Sequence, residues 1–175
     1  MCPVVSDSQF DGTKRMANID YRDATLQDED ALVELWWTMQ ASHHEYDAKW
    51  YADKGEEACK ASWREHFRSL IQDANAVIVV ATSAGVPIGM IVAHFGNRPP
   101  IYTVRHSAGI STGVVHPGFR RHGVFRGMLA LLEEKARAVG IKVMHLSVHK
   151  DNPAKEAYEK TGFATNTQGM MKWLE

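Results

Sequence analysis

The hydrophobic residues of this chain follow a helical period in some stretches and a strand pattern in others. Residues 123–139 show the clearest helix, because apolar residues recur every three to four positions and Gly140 follows as a stop signal. The same period predicts a helix that begins after Thr25, a second helix over residues 56–72, and a short one over residues 153–160.

Runs of β-branched and small residues between these helices predict strands. The runs cover residues 19–24, 76–81, 88–95, 106–115, 141–148, 163–164 and 169–174. The predicted order is therefore β-α-α-β-β-β-α-β-α-β-β. The fourth strand, the long helix and the fifth strand form a β-α-β unit, which requires a parallel pair. We expect an α/β (α+β) fold with a mixed, mostly antiparallel central sheet flanked by helices.

The composition is typical of one packed domain. The chain has 175 residues, of which 45% are hydrophobic and 23% are charged. Residues 1–17 are polar and unpatterned, so we expect an N-terminal extension followed by a single domain over residues 18–175. Periodic sequence begins directly after Met16, so Met1 and Met16 both remain candidates for the biological start.

Charge and cysteine content exclude further classes of protein. The 20 Lys and Arg residues balance 21 Asp and Glu residues, which argues against a nucleic-acid partner. No run approaches ~18 apolar residues, so we expect no membrane span. The two cysteines, Cys2 and Cys59, make neither a disulfide framework nor a metal-ligand spacing. No secretory signal is visible, and we expect a cytoplasmic protein.

The densest cationic cluster lies between the fourth strand and the long helix. Arg120, Arg121, His122 and Arg126 surround the predicted helix start, and Gly123 has no Cβ to keep an anion from the backbone. A helix N-terminus offers unpaired N–H groups and a partial positive charge, so a pyrophosphate is a natural ligand. From the residues alone, a solvated basic helix start explains the cluster equally well.

This turn resembles the acetyl-CoA-binding motif of the GNAT superfamily of N-acetyltransferases, V-x-P-x-x-R-x-x-G-x-G/A. Val115, Pro117, Arg120 and Gly123 match the motif. Phe125 stands where the family usually has Gly or Ala, and this departure puts a bulky side chain near the turn unless its ring points to the core.

Residues 151–163 resemble the second CoA motif of the family, N-x-x-A-x-x-x-Y-x-x-x-G-F. The matching residues are Ala154, Tyr158, Gly162 and Phe163. Asp151 holds the Asn position and Asn152 follows one place late. The order of elements over residues 19–174 also matches the GNAT fold. The resemblance implies acetyl transfer from acetyl-CoA to a primary amine, by direct attack in a ternary complex.

The resemblance also implies which residues hold the acetyl donor. The implied cofactor-binding residues are Gly113, Val114, Val115, Arg120, Arg121, His122, Gly123, Val124, Phe125, Arg126, Asn152 and Tyr158. Backbone N–H groups of residues 113–115 would pair with the pantetheine arm and stabilise the oxyanion. Tyr158 matches the tyrosine that the family places beside the CoA sulfur, which makes it the implied general acid. The alternative is a tyrosine that only packs on the sheet.

The group that would take a proton from the amine is not evident. Many relatives carry Glu or Asp on the fourth strand, but Thr112 occupies that position here. His106, His145 and His149 are candidates because an imidazole titrates near neutral pH, although a histidine in such a position is more often structural. An amine that arrives neutral would need no strong base.

The segment between the first two helices is expected to form the acceptor side of the site. Residues 45–57 combine acids with aromatic rings, which suits a small cationic amine through charge and cation–π contact. A solvated acidic loop with rings in the core is an equally good interpretation. His43 and His44 lack a third ligand at suitable spacing, so we expect no metal.

Three points stay open at this level. The acceptor can be a small-molecule amine or a peptide amino group, and a homodimer is compatible with the sequence. The alternative function is a GNAT-fold protein that binds acyl-CoA without efficient turnover, which the missing carboxylate at Thr112 and the bulky Phe125 support.

Overall fold

A five-stranded sheet lies between helices in the computed structural model, which describes residues 18–174. The strands are β1 (Ile19–Asp23), β2 (Ala76–Ser83), β3 (Val86–Asn97), β4 (His106–Val115) and β5 (Met144–Leu146). The helices are α1 (Glu29–Gln40), α2 (Glu56–Gln72), α3 (Val124–Ala138) and α4 (Ala154–Glu159). Strands pair in the order β1-β2-β3-β4-β5, antiparallel except for the parallel pair of β4 and β5. The predicted extension over residues 1–17 lies outside the described residues.

The predicted fold class is confirmed, but the predicted closing hairpin is wrong. Residues 164–174 contain no strand. The N–H of Phe163 donates to the carbonyl of Tyr158 at 3.1 Å, so this residue closes the end of α4 instead of starting a strand. In addition, β5 covers three residues instead of 141–148, and so short an edge offers few groups to a further strand.

Both faces of the sheet are covered, which explains why the central strands are almost continuously apolar. On one face, Val80 and Val92 pack with Phe67 and the other buried residues of α1 and α2. On the opposite face, the neighbouring Val79 and Ile91 pack against α3. Successive side chains of a strand point to opposite faces, so β2 and β3 each supply both cores.

An irregularity in β4 shapes the middle of the sheet. Val92 pairs with Thr112, whereas Ala93 pairs with Ile110, so Ser111 is left without a partner residue on β3. Such a bulge bends and twists its strand. The parallel pairing with β5 covers only Ala108 to Ile110 and ends at this bulge. Pairing stops there because β5 ends at Leu146, whereas β4 continues to Val115. We call the unpaired region between residues 111–115 and the chain after Leu146 the gap.

The contact between α3 and β1 requires a glycine. A Cβ added at Gly127 would lie 2.1 Å from Cζ and 2.3 Å from the hydroxyl oxygen of Tyr21. Real Cβ atoms do not approach other atoms so closely, so the ring and α3 would have to move apart.

We expect Gly127→Ala to destabilise the fold by about 1–3 kcal/mol, the usual cost of overpacking, although alanine by itself favours a helix. Urea unfolding measures the change. Gly96→Ala is the control, because a Cβ there meets no atom within 4 Å. In the Tyr21→Ala background the same Gly127→Ala change should lose its cost. Equal costs in both backgrounds would contradict this contact.

Candidate active site

The turn that joins β4 to α3 is built around two left-handed residues. Arg121 has a φ of 65° and Gly123 has a φ of 78°. Gly123 caps α3, and the first helical hydrogen bond runs from the N–H of Gly127 to the carbonyl of Gly123 at 3.0 Å. The N–H groups of residues 124–126 therefore have no carbonyl partner within α3. A Cβ at Gly123 would meet no atom within 4 Å, so the backbone here is open to a ligand.

Positive charge surrounds this turn. Arg121, His122 and Arg126 are exposed, and within residues 18–174 none of them is paired with a carboxylate. Arg120 is held differently, because its Nε donates to the carbonyl of Val115 at 3.1 Å. The unpaired N–H groups, the helix dipole and the arginines together favour a phosphate-bearing ligand.

Tyr158 of α4 reaches across to β4 at Gly113. A Cβ at Gly113 would lie 3.1 Å from the hydroxyl oxygen of Tyr158 and 3.3 Å from Cε2 of Phe125. The rings of Phe125 and Tyr158 meet edge to face at 5.4 Å, and Phe163 meets Tyr158 in the same way at 5.9 Å. The phenol is thus held by two aromatic rings, and the glycine leaves the strand surface free beneath it.

Phe125 departs from the family motif without blocking the turn. Its ring packs partly buried against the core beneath α3 and against Tyr158. The sequence left open whether this ring would point to the core, and the structure answers that it does. Phe125 therefore helps to position Tyr158.

Burial is the dominant influence on Tyr158 and raises the pKa of its phenol above the ordinary value of 10.0. The group therefore stays protonated throughout the neutral range and can donate a proton to a strong base. A leaving thiolate is such a base.

The loop between β5 and α4 holds the second predicted motif. The amide oxygen of Asn152 accepts a hydrogen bond from the N–H of Ala154 at 2.9 Å, so this side chain helps to form the start of α4. Asp151 pairs with Lys150, and its carboxylate lies 3.8 Å from Nδ1 of His149. Neither side chain is placed against the basic turn by these contacts.

The three predicted histidines lie in different places. His106 is exposed at the start of β4, at the far end from the basic turn, where it lines a cleft with Phe95 and Ile141. His145 packs over Gly109, and its Nε2 lies 3.4 Å from the hydroxyl of Ser107. His149 is half-buried beyond the end of β5.

The predicted acceptor segment meets His149. The ring of Tyr46 stacks on His149 at 5.8 Å, and the ring of Tyr51 meets it edge to face at 6.1 Å. Trp50 is exposed and contacts Trp173 at 6.0 Å. Tyr46 and Tyr51 thus share a contact with His149, which the sequence did not indicate, whereas Trp50 lies apart from them.

The sequence analysis considered His43 only as a metal ligand and did not predict its contacts with Tyr46 and Tyr51. Its ring lies 4.8 Å from Tyr51 and 5.8 Å from Tyr46. Burial lowers the pKa of His43, and the charges of His149 and His44 lower it further. The available signal was the spacing of His43, Tyr46 and Tyr51, but its meaning depends on the distant His149.

Within residues 18–174, no group of three or more His, Cys, Asp or Glu side chains is arranged to hold a metal ion. None of the helices in that range is long and apolar enough to cross a membrane.

The sequence model of the acetyltransferase (GNAT) family matches residues 27–163. The chain therefore belongs to the GNAT acetyltransferase family, whose members transfer an acetyl group from acetyl-CoA. No curated protein matches the chain significantly in sequence.

Solved structures share the fold. A mutant BH1408 protein from Bacillus halodurans has a TM-score of 0.80 at 21% identity, over 89% of this chain and 99% of its own. Glucosamine-6-phosphate N-acetyltransferase from Arabidopsis thaliana has a TM-score of 0.64 at 17% identity, over 90% and 99%. A predicted acetyltransferase from Clostridium acetobutylicum, solved with acetyl-CoA, has a TM-score of 0.66 at 22% identity, over 90% and 95%.

If the basic turn holds the pyrophosphate of acetyl-CoA, Gly123→Glu should abolish binding, because it adds bulk and negative charge at the open backbone. Isothermal calorimetry with CoA measures the loss. Gly140→Glu is a matched control at the other end of α3, since Gly140 has nearly the same φ of 77° and equally open surroundings. Unchanged CoA affinity in folded Gly123→Glu would refute the assignment.

Proposed function

We propose that this protein acetylates the amine nitrogen of a small cationic molecule, with acetyl-CoA as donor and both substrates bound together. The observation that carries the proposal is the convergence of Gly113, Phe125 and Tyr158 at the gap between β4 and β5. The basic turn follows directly along the same strand. An acyl donor with phosphates at one end and a thioester at the other needs both features in line.

The donor is proposed to lie along β4. Its pyrophosphate would contact the backbone from Arg121 to Arg126, where the N–H groups and positive charge are concentrated. Its pantetheine arm would pair with residues 113–115, because the edge of a parted strand can accept an extended amide chain. The rings at Phe125 and Tyr158 would border the thioester end.

The proposed chemistry is direct attack of the amine on the thioester carbonyl. The amine must be unprotonated when its C–N bond forms, and the C–S bond then breaks. The phenol of Tyr158 is proposed to donate its proton to the leaving sulfur, for which its burial and its place over Gly113 are suitable.

The proposed acceptor carries positive charge besides its reacting amine. Glu45 and Glu57 are exposed at or near the segment between α1 and α2, and the rings of Tyr46 and Tyr51 lie in the same segment. Carboxylates and aromatic faces both attract an organic cation. Other nearby acids are engaged, since Glu56 pairs with Lys60 at 2.7 Å, Asp53 pairs with His44 at 2.8 Å and Asp47 accepts the N–H of Trp50.

One observation favours a second candidate, an acyl-CoA-binding protein with little turnover. Thr112, at the position where relatives carry an acid, is half-buried on β4 and brings no carboxylate to the gap. Consumption of acetyl-CoA in the presence of amines separates the two functions, because a pure binding protein retains the thioester.

The role of Tyr158 is tested by Tyr158→Phe, which keeps the ring and its packing and removes only the hydroxyl. We expect kcat to fall ~10²–10⁴-fold, the range for loss of a general acid, with CoA affinity nearly unchanged. Steady-state kinetics and calorimetry give both values. Tyr102→Phe, in the exposed loop before β4, is the control. Full activity in Tyr158→Phe would make water the proton donor.

The acceptor class is tested by an acetyl-transfer screen of polyamines, amino acids, aminoglycosides and peptides. We expect the highest kcat/KM among polycationic small molecules, with a decrease at higher salt because charge attraction is screened. Replacing Glu45 and Glu57 by Gln should raise KM for these acceptors and leave CoA affinity unchanged. Activity confined to neutral or acidic acceptors would contradict a cationic substrate.

A further inference from the structure

Two histidines from distant parts of the chain share one aromatic cluster. We define the histidine–tyrosine cluster as His43, Tyr46, Tyr51 and His149. Both tyrosines contact both histidines, with centroid distances of 4.8 and 5.8 Å to His43 and of 5.8 and 6.1 Å to His149. The cluster joins the segment after α1 to the loop after β5.

The register of the sheet relates this cluster to the reacting centre. Ile110 lies opposite Leu146 in the parallel pair. Three residues further along both segments, Gly113 would face His149 if pairing continued, but pairing stops at Ile110, next to the bulge at Ser111. The gap thus opens between Gly113, which Tyr158 approaches, and the segment that carries His149.

Different chemical groups are associated with the helices on the two faces of the sheet. Tyr158 and Phe125 approach from the α3 side of the sheet. The histidine–tyrosine cluster is formed with the segment that follows α1, and α1 packs on the opposite face. Donor and acceptor can therefore enter from opposite faces and meet at β4, with a proton donor on one side and imidazoles on the other.

Charged groups lie beside the cluster on both of its segments. On the segment after α1, His44 is bound by Asp53 at 2.8 Å. On the loop after β5, Asp151 pairs with Lys150 and lies 3.8 Å from His149. Burial and the neighbouring imidazoles lower the pKa of His43, so its neutral form persists below the pH where an ordinary histidine becomes charged.

We propose that His43 and His149 act as one proton acceptor for the ammonium form of the acceptor substrate, in place of the carboxylate missing at Thr112. This inference rests on the proposed function. The charge of His149 disfavours a second charge on His43, so the two imidazoles are electrostatically coupled. Tyr46 and Tyr51 are positioning residues that hold the two rings together.

The proposed reaction balances in four steps. The ammonium gives one proton to an imidazole nitrogen of the pair, and the free amine forms its C–N bond with the carbonyl carbon. The C–S bond breaks and the sulfur takes the proton of Tyr158. The nitrogen then gives its second excess proton back to the tyrosinate. The amide and the free thiol leave, and the imidazolium releases its proton to water.

The test compares two isosteric probes, putrescine and 1-aminooxy-3-aminopropane. Each carries a cationic amine, but the reacting aminooxy nitrogen of the second is already neutral at pH 7. We expect His43→Gln and His149→Gln to lower kcat/KM for putrescine by ~10²-fold or more, as for loss of a general base. The same variants should lower kcat/KM for transfer to the aminooxy nitrogen less than ~3-fold, because that nitrogen needs no base.

The controls distinguish a failure of this inference from a failure of the proposed function. His44→Gln changes the adjacent, Asp53-bound histidine and should affect both probes equally little. Equal losses for both probes in His43→Gln and His149→Gln would mean that the histidines only support the structure, and would overturn the inference alone. A wild-type protein that acetylates neither these probes nor any cationic amine of the acceptor screen would overturn the proposed function and the inference together.

Discussion

The end of hydrogen bonding between β4 and β5 is the constraint on which the site depends. Beyond Ile110 a continuous sheet would fill the space with strand-to-strand hydrogen bonds and leave no room for a ligand. The extra residue, Ser111, bends β4 at this point, and its hydroxyl lies 3.4 Å from the carbonyl of Val92. Every other component of the site is arranged around the resulting gap.

Two separate aromatic groups occur in the candidate site. Next to α3, Phe125 and Phe163 hold the buried phenol of Tyr158 over a residue without a side chain, Gly113. In the loop after β5, His149 is contacted by Tyr46 and Tyr51 from the segment after α1. Burial acts in opposite directions on the two kinds of group. It raises the pKa of Tyr158 and lowers the pKa of His43, so both favour their neutral forms at neutral pH.

The sequence predicted the elements well wherever local pattern determines them. The bounds of β4 and α2 agree with the prediction, because a β-branched run and a helical period mark them clearly. The closing hairpin was wrong because Phe163 and its neighbours have strand propensity, yet the hydrogen bond from Phe163 to Tyr158 ends α4 there. Propensity is a weaker influence than such tertiary and capping contacts.

The site was predictable to the extent that it follows a motif. Gly123, which belongs to the motif, caps α3 at the predicted helix start. The contact of Tyr46 and Tyr51 with His149 was not predictable. These residues are about a hundred positions apart, and the contact depends on the conformations of the two loops that carry them. Gly109 and Gly113 flank the bulge at Ser111, and glycine in a strand often marks a bulge, but that signal does not fix which residue is the extra one.

Amide hydrogen exchange with and without CoA tests the central claim, that the donor binds along the parted edge of β4. Exchange reports the opening of individual hydrogen-bonded groups. The account predicts slower exchange on CoA binding at residues 113–115 and 121–126, with little change at β1. Protection confined to the cleft lined by Phe95, His106 and Ile141, at the other end of β4, would contradict it.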